Sequence, residues 1–115
     1  MDLSTFKTTL DTHPETIDFN DTMSVIDHFY DFEPGEFSNG ELVNATGQNS
    51  ASCKLFAFAK LQKLNTKQTL ACFGRFYRVD VLTNPDANNH QNIRNFIKTG
   101  WAGIKFKSSV LTEKC

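Results

Sequence analysis

The sequence predicts a mainly α-helical, α+β fold: about five helices packed around a central apolar helix, with a small antiparallel hairpin joined by a C-terminal strand. Three observations lead there. Apolar residues recur at helical spacing in most segments, Asn39-Gly40 sits between two short extended runs, and the stretch from Cys53 to Leu64 is apolar nearly all round. A chain of 115 residues has the length of one domain, here 1–115. Phe supplies 11 of those residues, more than any aliphatic type, so interlocking aromatic rings must build much of the core.

Leu3, Phe6 and Leu10 fall on one face of a helix that begins near Asp2 and stops before Pro14. Asp18 caps a second helix whose stripe of Phe19, Met23, Ile26 and Tyr30 is widened by Val25, Phe29 and Phe32, and which ends before Pro34-Gly35. Asn39-Gly40 then predicts a type I′ turn that sets Phe37 opposite Leu42. Two short strands do not stand alone, and Ile104-Lys105-Phe106 alternates suitably for a third.

The polar run from Asn44 to Ser50 reads as a loop, after which Asn49 or Ser50 caps a third helix running through Leu64. Cys53, Phe56, Ala57 and Leu61 share one face of it, with Leu55, Phe58 and Ala59 alongside, making it the most buried element. Asn65-Thr66-Lys67-Gln68 is a capping signal for a fourth helix that reaches about Leu82 and turns Leu70, Phe73, Tyr77 and Val81 inward, with Asn84-Pro85 ending it. Asn88 or Asn89 caps the last helix, which presents Ile93, Phe96 and Ile97. Gly100 closes it in a left-handed conformation, and Trp101 folds back on Phe96.

The formal charge of −1 conceals a polarity. Residues 1–41 carry ten acids against Lys7 alone, a net of −9, and residues 42–115 carry three acids against eleven bases, a net of +8. With the apolar third helix between the two parts, the charges are expected to neutralise each other within one fold. No run approaches the ~18 apolar residues of a membrane span, and the N-terminus lacks a Sec-type signal. No membrane insertion is expected. Three cysteines, Cys53, Cys72 and Cys115, are too sparse and odd in number for a disulfide framework, which favours a reducing compartment, the cytoplasm.

Cys53 lies in the first turn of a predicted helix beside Lys54, where the helix dipole lowers a thiol pKa, and His90 is the best available base for it. These two are the weak catalytic candidates. The same periodicity puts Cys53 in line with Phe56 and Ala57, which favours an inert buried thiol, and Cys72 and Cys115 suggest less chemistry still. With the histidines scattered and no close Cys/His spacing, neither a metal site nor a cofactor is expected.

Asp18/Asp21 reads as helix capping and Asp27/Asp31 as a solvated face. Glu41 beside Asn44 and Asn49 is more interesting, because a carboxylate and amides near a helix start can line a polar pocket. The segment from Gly47 to Lys54 has the glycine, hydroxyls and lysine of a phosphate loop but not its Gly-Lys-[Ser/Thr] ending, which argues against a nucleoside triphosphate and leaves weak anion binding. Arg75-Phe76-Tyr77-Arg78 and Lys98-Thr99-Gly100-Trp101 interleave bases with aromatics as single-strand nucleic-acid surfaces do. Core aromatics and arginines that neutralise the acidic helices are the better reading, so nucleic acid is not the expected partner. His90 and Arg94 sit one turn apart and can face a shared site.

Three blocks, Asn39 to Asn44, Asn49 to Ala59, and His90 to Phe96 followed by Gly100-Trp101-Ala102-Gly103-Ile104, together resemble the HopJ-type III effector family. The likeness runs from about Asp18 to Phe106, and Ala51 departs from it where glycine is expected before Ser-Cys-Lys. The resemblance implies a small Gram-negative bacterial protein, made in the cytoplasm and related to effectors injected into host cells by type III secretion. The resemblance brings no established enzymatic activity with it and leaves open whether the protein is an enzyme. The leading reading is therefore an effector-like protein that binds a partner, a host protein or a small ligand. The alternative is a cytoplasmic enzyme or metabolite-binding protein whose site gathers Glu41, Asn44, Asn49, Ser52, Lys54, Arg78, His90 and Arg94.

Overall fold

The computed structural model describes residues 2–114, so Cys115 lies outside it. Helix α1 (Leu3–Thr12) starts at Asp2, whose carboxylate accepts the Thr5 amide at 2.7 Å, and a 3-10 turn over Pro14–Thr16 follows it. Helix α2 (Phe19–Phe29) opens with a capping box between Asp18 and Asp21. It stops at Phe29, earlier than the apolar stripe predicted. Tyr30–Phe32 leaves the helix as strand β1 and pairs antiparallel with β5 (Leu111–Glu113), Tyr30 facing Glu113 and Phe32 facing Leu111. Aromatic residues suit either state, and the far C-terminal partner decides between them.

Strands β2 (Phe37–Asn39), β3 (Leu42–Asn44) and β4 (Ile104–Phe106) form a second sheet in the order β3-β2-β4, so the C-terminal strand joins the hairpin as expected. The turn residues are Gly40 and Glu41 rather than Asn39 and Gly40. Gly40 alone has a positive φ, +63°, the pattern of a type II′ turn. Phe37 consequently faces Asn44, and Leu42 faces Asn39. Moving the turn by one residue shifts the register by two, which preserves the faces of β2 and leaves Asn39 and Asn44 buried.

Helix α3 (Ser50–Leu61) crosses the core, burying Cys53 and every residue from Leu55 to Ala59. It ends before the expected Leu64. Lys63 adopts φ 58°, the Leu64 amide bonds the Ala59 carbonyl at 2.9 Å and the Lys63 amide bonds the Lys60 carbonyl at 3.1 Å, a Schellman closure with lysine in the position glycine favours. The ring of Phe56 lies 6.1 Å from Phe37, 5.4 Å from Phe73, 5.0 Å from Phe96 and 6.4 Å from Trp101, centroid to centroid. An aromatic core built around the third helix is thus what forms.

The predicted fourth helix is two pieces. Helix α4 (Thr66–Ala71) has the expected capping box between Asn65 and Gln68, but Gly74 turns to φ +60° and the chain resumes as a π-helical segment over Phe76–Val81. A Cβ on Gly74 would meet the Phe19 backbone nitrogen at 2.6 Å, so the break lets this segment touch the start of α2. Helix α5 (Gln91–Thr99) begins after His90, not after Asn88 or Asn89, and closes at Gly100 with φ 59°. Trp101 stacks edge-on against Phe96 at 5.2 Å, as predicted.

Among the described residues four ion pairs join the acidic N-terminal part to the basic remainder: Lys54 with Asp27, Arg75 and Arg78 with Asp18, and Lys107 with Glu36. No helix is long and apolar enough to cross a membrane among the described residues.

Candidate functional site

The starts of α3 and α5 come together. Asn49 and His90, the residues immediately before the two helices, both have left-handed backbones, φ 50° and 51°, and neither side chain caps its helix. The sequence offers Ser50 or Asn49 as the cap of α3, and the cap position falls on Asn49. Its Nδ2 instead donates to Asn44 Oδ1 at 2.7 Å, which ties the helix start to β3. The first turns have no side-chain cap, and their residues Ala51, Ser52, Gln91 and Asn92 line a cleft at the positive ends of two helix dipoles.

That cleft has a volume of ≈ 560 Å³. Ser52, His90 and Asn92 line it together with Phe19, Phe73 and Phe76. The aromatic rings form a continuous wall: Phe19 stacks on Phe73 at 6.2 Å and meets Phe76 at 5.2 Å, and Phe76 lies 5.3 Å from the His90 ring. On the other side of His90, Nε2 and Asp80 Oδ2 are 3.1 Å apart. Asp80 comes from the π-helical segment, a distortion common at functional sites. The carboxylate fixes the ring orientation and leaves Nδ1 as the nitrogen available to a ligand.

Behind the wall lies a buried amide network. Asn92 Oδ1 accepts from Asn39 at 3.1 Å and Asn44 at 3.2 Å, and Asn92 Nδ2 donates to Asn44 Oδ1 at 3.0 Å. It fixes the hairpin to the first turn of α5.

The expected site residues divide into two groups. Asn49, Ser52 and His90 line the cleft, and Asn44 supports it from behind. The other four are used elsewhere. Glu41 is an exposed turn residue, and Lys54 pairs with Asp27 at 2.7 Å with its ammonium over the Phe32 ring. Arg78 donates to the carbonyls of Pro14 and Ile17, clamping the 3-10 turn. Arg94 does not share a site with His90; its guanidinium donates to Asn84, Pro85 and Asn89, holding the loop before α5.

The Cys53–His90 couple does not form. Cys53 is buried, with Sγ 3.9 Å from the Gly35 carbonyl oxygen, and burial raises its thiol pKa against the lowering effect of that bond. Among the described residues no cluster of His, Cys, Asp and Glu has metal-binding geometry.

Asp80 and the phenylalanine wall were not singled out from the sequence. A signal for Asp80 exists, since it is one of only three acids in the last 74 residues. Phe19 and Phe73 carried none, because their spacing matches that of core residues, and Phe76 stood out only as an aromatic between Arg75 and Arg78.

A family model described as HopJ type III effector protein matches residues 3–111. The chain belongs to the HopJ type III effector protein family. It is also similar to a crystal structure described as unknown function protein VPA0580, with a TM-score of 0.97 and 54% identity, covering 99% of this chain and 95% of that one. No curated protein matches it. The HopJ family match spans both helix starts and the hairpin that frame the cleft.

Proposed function

We propose that this HopJ-family chain is a type III effector-like protein that acts by binding, and that the cleft between α3 and α5 is its binding site. The observation that carries the reading is the convergence of His90, Asn49, Ser52 and Asn92 with the Phe19–Phe73–Phe76 wall around one cavity of ≈ 560 Å³. A concave surface with a few directed polar groups and an apolar side is the usual form of a small-ligand site. The chemistry that fits is an aromatic or otherwise apolar body ending in an anionic or carbonyl group. The ring wall takes the body, and His90, the Ser52 hydroxyl and the first-turn amides take the oxygen atoms.

Phenyl phosphate is a suitable probe, with inorganic phosphate and phenol as its two halves. Titration followed by amide chemical shifts should give saturable changes at Ala51, Ser52, Gln91 and Asn92 that weaken in Ser52→Ala and vanish in His90→Ala. Shifts scattered over the surface, or none at millimolar probe, would count against the cleft. Export is tested separately: in bacteria with an assembled needle the protein should reach the medium alongside a known effector, and retention in the cytoplasm removes the secreted reading.

A second reading, a cytoplasmic enzyme, is favoured by the Asp80–His90 pair. A carboxylate-oriented imidazole is the arrangement of a general base. The two readings separate on whether a bound ligand is recovered unchanged.

A further inference from the structure

Lys60 and Lys63 belong, with Lys67, Lys98 and Lys105, to the bases that meet no acid among the described residues. The bases Lys54, Arg75, Arg78 and Lys107 meet acids of the N-terminal part, but neither Lys60 nor Lys63 forms an ion pair among the described residues. Both are exposed near the C-terminal end of α3, and Lys60 Nζ lies 5.8 Å from the centroid of the Phe106 ring.

Two adjoining depressions share these lysines. One, of ≈ 440 Å³, has an apolar floor of Ala57, Leu61, Phe106, Val110 and Leu111. The other, of ≈ 260 Å³, is lined by Leu64, Trp101 and Ile104. Leu61, which lines the first of them, is 54% exposed, an unusual setting for a leucine on the most buried helix of the fold.

Strand β4 runs along the same groove and is an edge strand. The Gly40 amide bonds the Gly103 carbonyl at 2.9 Å and the Lys107 amide bonds the Glu36 carbonyl at 3.2 Å. In an antiparallel ladder that register turns the backbone groups of residues 103, 105 and 107 toward β2 and those of Ile104 and Phe106 away from it. The Ile104 amide bonds Trp101. Among the described residues the Ile104 carbonyl and both backbone groups of Phe106 have no backbone partner, which leaves a ladder edge with no proline or bulge to blunt it.

We propose that this groove binds an extended, acidic segment of a partner protein, which adds to β4 as a further strand. Backbone bonds to Phe106 set its register, and on the one face turned to α3 every second side chain is used, apolar ones entering the depressions beside Leu61 and Trp101 and carboxylates between them meeting Lys60 and Lys63. Charge complementarity fixes the sign of the partner, and the free ladder edge fixes its extended form. The groove is independent of the cleft at the other end of α3, which lies roughly 18 Å away along a 12-residue helix.

Trp101 is the single tryptophan of the chain and lines the groove, so its emission reports occupancy. The probe is a short, end-capped peptide in which valine and glutamate alternate along one face, with threonine at every intervening position, and its control carries lysine for glutamate. The expected result is a saturable emission change with the glutamate peptide alone, weakened by salt. The exposed pair Lys60→Gln/Lys63→Gln should lose at least about tenfold in affinity, while its circular dichroism and urea midpoint match the parent. The Phe106 amide should gain protection from hydrogen exchange only when the glutamate peptide is bound. Equal binding of both peptides, or no binding by either, overturns the proposal. A response to phosphatidylglycerol vesicles or oligothymidylate without one to the glutamate peptide overturns it in favour of lipid or nucleic acid. Sedimentation as a dimer that buries Trp101 overturns it in favour of a second copy of this chain.

Discussion

Asn44 and Asn92 hold each other through reciprocal amide hydrogen bonds, Asn44 Nδ2 donating to Asn92 Oδ1 at 3.2 Å and Asn92 Nδ2 returning to Asn44 Oδ1 at 3.0 Å. Both side chains are buried, and Asn39 adds bonds to the Asn92 carbonyl at 2.7 Å and to its side-chain oxygen. Three asparagines 53 positions apart at the extremes thus join β2, β3 and α5 at the back of the cleft. Asn39 Oδ1 has no partner, so the network already carries one unsatisfied acceptor. Leaving a buried amide unpaired costs about 1–3 kcal/mol per group.

Asn92→Leu keeps the branched shape but removes both bonds that Asn44 exchanges with Asn92, leaving Asn44 the Asn49 amide and the Phe37 carbonyl. It should destabilise the fold by about 2–4 kcal/mol in urea unfolding, and the cleft amides at Ser52 and Gln91 should shift with it. A loss below about 0.5 kcal/mol would mean that the asparagines are replaceable packing rather than a network.

Gly74 tests the break in the predicted fourth helix. Its φ of +60° disfavours a side chain, and an added Cβ would lie 2.6 Å from the Phe19 nitrogen. Gly74→Ala should therefore cost more than the ~1 kcal/mol of the backbone conformation alone, about 2–4 kcal/mol, although alanine is the better helix former. A neutral or stabilising result would show that this segment accepts a continuous helix.

Lys63→Gly makes the opposite prediction at the end of α3. Lysine holds φ 58° where glycine is strain-free, so the substitution should stabilise the protein by up to about 1 kcal/mol, read as a higher urea midpoint. The same change should weaken binding of the glutamate–valine peptide. Gain of stability with loss of binding would identify the lysine as retained for its charge.

These positions also explain what the sequence made legible. Helix starts at Asp2, Asp18 and Asn65 were readable because the capping side chain and its partner lie within three residues of each other. The third strand was readable because Ile104-Lys105-Phe106 alternates. The breaks were not, because each depends on something distant in sequence: Gly74 on the approach of Phe19, and Tyr30 on pairing with Glu113. At the site, Asn49, Ser52 and His90 stood out as polar residues near helix starts, whereas Lys54 and Arg78 carried the same signal and are taken up by Asp27 and by the Pro14 and Ile17 carbonyls. Local pattern identifies a polar residue but not the partner that occupies it.

Alkaline pH probes the two described thiols. Burial pushes the Cys72 thiol from 9.0 up to about 12, offset in part by a Thr22 hydrogen bond, and Cys53 moves in the same direction for the same main reason. Below the ordinary value both folded and unfolded chains keep their protons and the full stability is present. Between 9.0 and about 12 the unfolded chain releases the Cys72 proton while the folded chain holds it, so stability must fall as pH rises, by up to about 4 kcal/mol for Cys72. In a Cys115→Ser background, Ellman's reagent at neutral pH should titrate no thiol until the protein unfolds. Rapid reaction of one thiol in the native state would identify Cys53 as accessible and reinstate it as a candidate nucleophile.

His90→Gly separates the cost of the cleft from its use. A non-glycine residue at φ 51° gives up about 1–2 kcal/mol that glycine would recover, and His90 offsets this through its 3.1 Å bond to Asp80 and its contact with Phe76. Glycine removes the imidazole and the strain together, so the urea midpoint should change by no more than about 1 kcal/mol. If the left-handed turn served only to start α5, phenyl phosphate binding would survive such a change. Occupancy of the cleft through the imidazole requires instead that the shifts at Ser52 and Asn92 disappear while the fold persists. Asp80→Asn then asks whether the carboxylate matters as an orienting group: it should weaken phenyl phosphate binding less than His90→Gly does, because the amide can still accept from Nε2. A larger loss in Asp80→Asn than in His90→Gly would move the centre of recognition from the imidazole to the carboxylate, leaving the anionic end of the ligand without its assigned partner.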